Sequence, residues 1–281
     1  MNRLKPVFIA VAIPAYLFFS TLAILLAIND GINMPTIGVF MVSIVPAEFF
    51  IRLVLLKPWA RTSKFLPAYT GSIILGSASV FYFIANGVLT NNFGFISIAS
   101  LALWGAYILW YSKLPVPELN KLQPGHQLPA LTFTDESGEQ VNTAIFKGKK
   151  VIYLWYRGNW CPLCMAQIKE LAGDYQALSK RGVEVVLISP QPHKFTIELA
   201  KKMKVDFHFL MDENNQEARL LGFDHKYGVP FGLELTGYDS ETVLPTVIIT
   251  DENAKILFLA QTDNYRVRPE PATFLKVFDD N

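Results

Sequence analysis

The 281-residue chain contains two cysteines, and they stand three apart in Trp160-Cys161-Pro162-Leu163-Cys164. Two thiols at that spacing can pass into a disulfide and back, provided that one of them ionises and both reach the same reactant. The residues around them predict where they sit. The apolar run 151–155 reads as a buried strand, and the helix-forming segment 165–180 follows. Cys161 then falls at a helix N-cap, with Pro162 at the first helical position, where its missing N–H costs nothing. The free N–H groups and positive dipole end there favour thiolate over thiol. Cys161, on the open cap, is therefore expected to be the more acidic thiol and the attacking one, with Cys164 one turn in as its resolving partner. A zinc half-site and two inert core thiols are the competing readings. Zinc wants about four ligands, yet His126, His193, His208 and His225 show no paired ligand spacing, so no metal site is expected.

Composition divides the chain in two. The first 111 residues are strongly apolar, and the rest has ordinary soluble composition. A net charge of +1 gives no electrostatic case for nucleic acid. Segments 7–28, 36–56, 68–89 and 93–111 are each long enough to cross a bilayer, for which about 20 apolar residues suffice. Their short connectors make consecutive helices antiparallel neighbours, so an all-α transmembrane four-helix bundle is expected over 1–113. Lipid is its first partner. Arg3 and Lys5 precede the first span, Lys57, Arg61 and Lys64 lie between the second and third, and Lys113 and Lys121 follow the fourth. If basic loops stay inside, both termini are cytoplasmic. The expected location is the cell (inner) membrane, as a multi-pass protein with its soluble part on the cytoplasmic side, where a disulfide is transient rather than structural. Within the second span Glu48 and Arg52 are four apart, on one helix face just after Pro46. They are either an interfacial ion pair, with Arg52 snorkelling, or an intramembrane quinone, proton or substrate site. Ser72 and Gly76 form a small-xxx-small pair suited to close helix packing.

Residues 114–124, with Pro115 and Pro117, read as a stiff linker, and 125–281 as one α/β domain. Strands are expected at 131–134, 140–142, 151–155, 183–189, 207–211, 244–250 and 255–261, and helices at 165–180, 195–203, 214–221 and 271–278. Strands alternating with helices and ending in a hairpin give a thioredoxin-like domain.

Several pieces of this half resemble the peroxiredoxin-like redoxin family, also called the alkyl hydroperoxide reductase/thiol-specific antioxidant family. They are Pro129 with Thr132-Phe133, the turn from Asp135 to Gly138, Gly148-Lys149, the run from Tyr156 to Cys164, Ile188-Ser189-Pro190, Met211-Asp212, Leu244-Pro245-Thr246, and the stretch from Asp263 to Pro271. The resemblance implies that Pro245 matches the cis-proline beside the redox cysteines, and that Arg266 or Arg268 is the arginine that polarises a peroxide. It also implies that Trp160, Pro162 and Arg157 line the substrate groove. One departure stands out. The family's Pro-x-x-x-Thr-x-x-Cys, laid with its cysteine on Cys164, puts Arg157 at the proline and Cys161 at the threonine.

The expectation is a membrane-anchored thiol–disulfide oxidoreductase that uses the Cys161–Cys164 dithiol without a cofactor. It would act on a protein or small-molecule disulfide and be recharged by a thiol reductant. The alternatives are a thiol peroxidase acting on hydroperoxides and, from another class, a redox-sensing interaction protein of the membrane.

Overall fold

The computed structural model describes residues 2–56, 59–115 and 122–280. Lys57, Pro117 and Lys121, which carried part of the charge and linker readings, lie outside them. The chain divides into two compact units, a helical one within 4–113 and an α/β one whose main body is 114–281.

The helical unit holds four long apolar helices, α1 (Lys5–Asp30), α2 (Met34–Val54), α3 (Pro67–Ala85) and α4 (Asn91–Ala106), the last continued by a π-helical turn, Tyr107–Tyr111. By length and composition each of the four, α4 taken with its π turn, can cross a membrane. The α2 start is fixed by a capping box, in which Asn33 Oδ1 accepts from Thr36 N at 3.1 Å and Asn33 N donates to Thr36 Oγ1 at 2.7 Å. Pro46 interrupts the α2 ladder and leaves the Val42 carbonyl without its usual donor. Ser100 Oγ of α4 donates to that carbonyl instead. Gly76 does what its spacing predicts. A Cβ there would stand 2.5 Å from Met41 Cβ and 2.9 Å from Gly38 O, so α2 and α3 touch through two glycines. Arg52 Nη1 lies 3.5 Å from Glu48 Oε1, and Tyr69 at the start of α3 donates to Glu48 Oε2 at 2.8 Å. Nearly half of each side chain of the ion pair is exposed.

The α/β unit is built on β1 (Thr132–Asp135), β2 (Gln140–Asn142), β3 (Lys150–Trp155), β4 (Val183–Ser189), β5 (His208–Met211), a small β6 (Asp224–His225) and β7 (Thr242–Val243) pair, β8 (Thr246–Thr250) and β9 (Ile256–Gln261). The main sheet runs β2-β1-β5-β4-β3-β8-β9, with β3, β4 and β5 parallel and β8 antiparallel to β3. β3 and β4 are the apolar central strands, as their unbroken Val/Ile/Leu runs require. Alternation along β3 sends Val151, Tyr153 and Trp155 into one core with Phe133, Ile188 and Phe223. The Trp155 and Phe223 rings meet edge to face, 5.3 Å apart. This is the thioredoxin-like arrangement expected.

The helices are α5 (Pro162–Gly173), α6 (Tyr175–Ser179), α7 (His193–Met203), α8 (Gln216–Leu221) and α9 (Pro271–Asp279). The single helix expected over 165–180 is therefore two. It starts earlier, at Pro162, and breaks at Asp174, whose ψ of 6° stops the α-helical ladder just after Gly173. The strand expected from Leu244 begins at Thr246, because Leu244 N donates to Phe223 O at 2.7 Å instead of joining the sheet. No described peptide bond is cis, so Pro245 follows a trans bond and the cis expectation fails.

Candidate active site

β3 ends at Trp155, and the loop Tyr156–Trp160 carries the chain to Cys161, the N-cap of α5, with Pro162 at the first helical position. That much follows the sequence. Cys164 is the third residue of α5, so both sulfurs sit in its opening turn. Both are buried: Cys161 is 1 % and Cys164 0 % exposed. Cys161 is the N-cap as expected, but it is not open, and its side chain makes no cap hydrogen bond. Its thiol donates to the Cys164 sulfur instead.

Four groups act on the Cys164 sulfur. Burial alone would raise its pKa. Against that work the hydrogen bond from Cys161, the Arg268 guanidinium, the backbone N–H of Arg157 and the Arg157 charge, which together bring it down to about 5. Arg268 Nη2 stands 3.4 Å from Cys164 Sγ and 3.9 Å from Cys161 Sγ. For Cys161 the balance falls the other way. Burial, and its hydrogen bond and proximity to Cys164, push it well above the ordinary thiol range, more than the two arginines lower it. The surroundings thus favour the thiolate on Cys164 over Cys161, the opposite of the order expected from the cap position alone.

Of the two candidate arginines, Arg268 is the one seen to reach the sulfurs. Its Nη1 donates to Gln167 Oε1 at 2.8 Å and its Nε to Tyr265 O at 3.0 Å, so the fork is fixed from α5 and from its own loop. Arg266 is fully buried, and its backbone N–H donates to Asn264 Oδ1. Arg157 is buried, donates through Nη2 to Gly228 O, and lies 4.6 Å over the Trp160 ring and 5.8 Å from the Tyr265 centroid. Gly158 has φ +138° and a Cβ there would come 2.8 Å from Trp160 Nε1, so only glycine lets the indole lie back on the loop. Pro245 is half-buried, one residue before the Thr246 that pairs with Trp155, and so level with the start of the Cys-bearing loop. Glu48 and Arg52 belong to the other unit.

Sequence reasoning missed two glutamines. Gln167 stands one turn beyond Cys164, a spacing that marks it as a neighbour of the sulfur. Gln191 is buried and ties the active-site loop to the β4–α7 turn. Its Oε1 accepts from Asn159 N at 2.8 Å, and its Nε2 donates to Tyr156 OH at 2.9 Å. Tyr156 is fully buried and its phenol is held neutral by that burial. The only hint of Gln191 in the sequence is its place just after Ile188-Ser189-Pro190.

A thiolate with a second thiol and a buried arginine beside it, at the start of a helix that follows a central strand, has the elements of a nucleophilic thiol site. The AhpC/TSA family model matches residues 124–258. The chain is 32 % identical over 104 residues to Peroxiredoxin Bcp of Escherichia coli (strain K12), covering 37 % of this chain and 67 % of that protein. The chain belongs to the AhpC/TSA family. It is also 33 % identical over 113 residues to the chloroplastic Peroxiredoxin Q of Sedum lineare, 40 % of this chain and 58 % of that relative's length. Among solved structures, the Peroxidoxin BcpB of Mycobacterium tuberculosis superposes with a TM-score of 0.47 at 15 % identity, over 57 % of this chain and 97 % of that one. The AhpC/TSA match begins at residue 124, after the four apolar helices.

Proposed function

We propose that this AhpC/TSA chain is a membrane-anchored thiol peroxidase in which Cys164 attacks the hydroperoxide and Cys161 resolves the product. The observation that carries the reading is the Cys164 thiolate, held by the Cys161 thiol and by Arg268 Nη2 at 3.4 Å. The thiolate attacks the terminal oxygen of ROOH, the O–O bond breaks, a sulfenic acid forms on Cys164, and RO⁻ leaves and takes a proton from water. The Cys161 thiol then displaces hydroxide from the sulfenic sulfur. Water and a Cys161–Cys164 disulfide result, and an external thiol reductant returns two electrons.

This replaces thiol–disulfide exchange as the leading reading. An exchange enzyme of thioredoxin type needs its N-cap thiolate open to a bulky disulfide, whereas here that thiol is buried and stays protonated. A hydroperoxide is small enough to reach Cys164 with little rearrangement. No organic cofactor is required for these steps.

The four apolar helices, of 26, 21, 19 and 21 residues, are read as the anchor. At 1.5 Å per residue they match a hydrocarbon core of about 30 Å. The Lys and Arg distribution supports cytoplasmic termini, and with them a cytoplasmic redox domain over 125–281, joined to the 1–113 anchor through 114–124. The Glu48–Arg52 pair lies in the last two turns of α2 and bonds Tyr69 at the start of α3, which fits an interfacial anchor better than an intramembrane site.

The test is single-turnover oxidation of the purified full chain by hydrogen peroxide. Cys164→Ser should abolish it, and Cys161→Ser should leave one turnover that ends in a trappable sulfenic acid at Cys164. Sulfenic acid at Cys161, or no reaction with any hydroperoxide while disulfides are reduced, would return the exchange reading. For orientation, a reporter active only outside the cytoplasm should stay silent when fused after Asn281.

A further inference from the structure

The AhpC/TSA pocket motif places a proline and a threonine before its reactive cysteine, and this chain has Arg157 and Cys161 there. Removing both pocket residues ought to weaken peroxide handling, unless something else performs the same work. Two observations show what is available.

The first is charge. Arg157 and Arg268 are both buried, and no described carboxylate pairs with either. Buried charges persist where they are compensated. Among the described residues, the anion that both guanidiniums act on is the Cys164 thiolate. Two positive charges and one negative leave the pocket with one uncompensated positive charge. The second observation is hydrogen bonding. Arg157 Nε is buried without a hydrogen-bond partner, and so is the indole Nε1 of Trp160, on whose ring the Arg157 guanidinium lies. Buried donors are rarely left unpaired, because an unmade bond forfeits the hydration the group gave up on burial. Both unpaired donors lie in the loop whose backbone N–H already bonds the Cys164 sulfur.

A peroxide brings what this arrangement lacks. As the thiolate attacks, negative charge moves through the O–O bond onto the departing oxygen, which becomes RO⁻ before it is protonated. An acceptor carrying one developing negative charge matches both the spare charge and the spare donors. We infer that Arg157, assisted by the Trp160 indole, is a catalytic residue that receives the departing oxygen of the hydroperoxide, and so replaces the family's proline–threonine pocket with a cationic one. This rests on the peroxidase reading above and deepens it. Arg268 holds the attacking sulfur, and Arg157 holds the leaving oxygen. The favoured substrates are compact hydroperoxides, whose second oxygen reaches Arg157 without displacing Trp160.

Arg157 also lowers the Cys164 pKa, and the experiment separates the two roles. Second-order rate constants for hydrogen peroxide are measured with the full chain across pH for the wild type, Arg157→Met and Arg157→Lys. Alkylation of Cys164 by iodoacetamide is measured in parallel. If Arg157 receives the leaving oxygen, Arg157→Met loses about a hundredfold with peroxide even on the alkaline plateau where Cys164 is fully ionised, a size typical of one lost oxyanion donor. Its plateau alkylation rate stays within about threefold of wild type, because iodoacetamide releases no oxygen anion to be stabilised. Arg157→Lys, which keeps charge but loses the planar fork, recovers part of the loss. Peroxide rates that return to wild type on the plateau would reduce Arg157 to a pKa effect and overturn the inference. Equal losses in both reactions would also overturn it, since they point to a collapsed loop. A wild type inert to hydrogen peroxide would instead refute the peroxidase reading itself.

Discussion

Replacing Arg268 by glutamine removes the charge nearest the reactive sulfur while keeping a polar, though shorter, side chain. The separation is 3.4 Å. With an effective dielectric constant near 20, Coulomb attraction at that distance is about 5 kcal/mol, an upper bound equivalent to between three and four pKa units. The Cys161 hydrogen bond, the Arg157 N–H and the Arg157 charge all remain. Taking about half of the bound as the net effect, Cys164 should move from about 5 to about 7. The thiolate fraction at pH 6 then falls from about nine-tenths to about one-tenth. The assay is the pH dependence of iodoacetamide alkylation at Cys164, in a Cys161→Ser background that keeps a hydroxyl donor beside the sulfur. Arg268→Gln should shift the midpoint upward by about two units and slow alkylation at pH 6 about tenfold, with little change at pH 9. An unmoved midpoint would show that Arg268 is not what holds the thiolate. Rapid alkylation of Cys161 at pH 6 in Cys164→Ser would show that the two cysteines have been assigned in the wrong order.

With its resolving thiol gone, Cys161→Ser should accumulate sulfinic acid at Cys164 under excess peroxide, whereas the wild type stops at the disulfide; intact-mass measurement distinguishes them. Reduced wild type should gain thermal stability as pH rises from about 5 towards about 8.5, because across that window the unfolded thiol binds a proton that folded Cys164 has lost. Cys164→Ser should flatten that rise, and a steeper rise in the variant would contradict the assignment. Gly158→Ala, which forces a Cβ against Trp160 Nε1 at a φ of +138°, should cost about 1–3 kcal/mol of stability by denaturant titration. Glu48→Gln, which breaks a half-exposed pair, should change stability by less than about 1 kcal/mol and leave peroxidase activity in membranes nearly intact.

The parts of this molecule that follow local rules were legible in its sequence. The four apolar helices, the apolar β3 and β4 runs, and the strand–loop–helix around Cys161 all declare themselves through composition, periodicity and Pro162. The break at Asp174 did not, because nothing between Met165 and Lys180 forbids a helix outright. The chain from Gly222 to Val243, with its small β6–β7 pair, gave no periodic signal and yet supplies the Gly228 carbonyl that anchors Arg157. The order of the two thiols was least legible. Both cysteines head the same helix, and local reasoning favours the cap. What favours Cys164 is the hydrogen bond it receives from Cys161, reinforced by Arg268, over a hundred residues away along the chain, which stands closer to Cys164 than to Cys161. Spacing alone could place Arg266 and Arg268 together, but only the fold decides which of them meets the sulfurs.

The arginine-flanked thiolate also bears on how the cycle closes. When Cys161 and Cys164 join, the thiolate that Arg157 and Arg268 both act on disappears, and two buried cations are left beside a neutral disulfide. That repulsion is relieved only when electrons return and the thiolate re-forms. The reduced form is thus favoured by the same field that makes Cys164 reactive, which raises the reduction potential of the pair. The oxidised protein should therefore be a ready electron acceptor, poised above ordinary structural disulfides, and able to draw on whichever dithiol reductant its compartment offers.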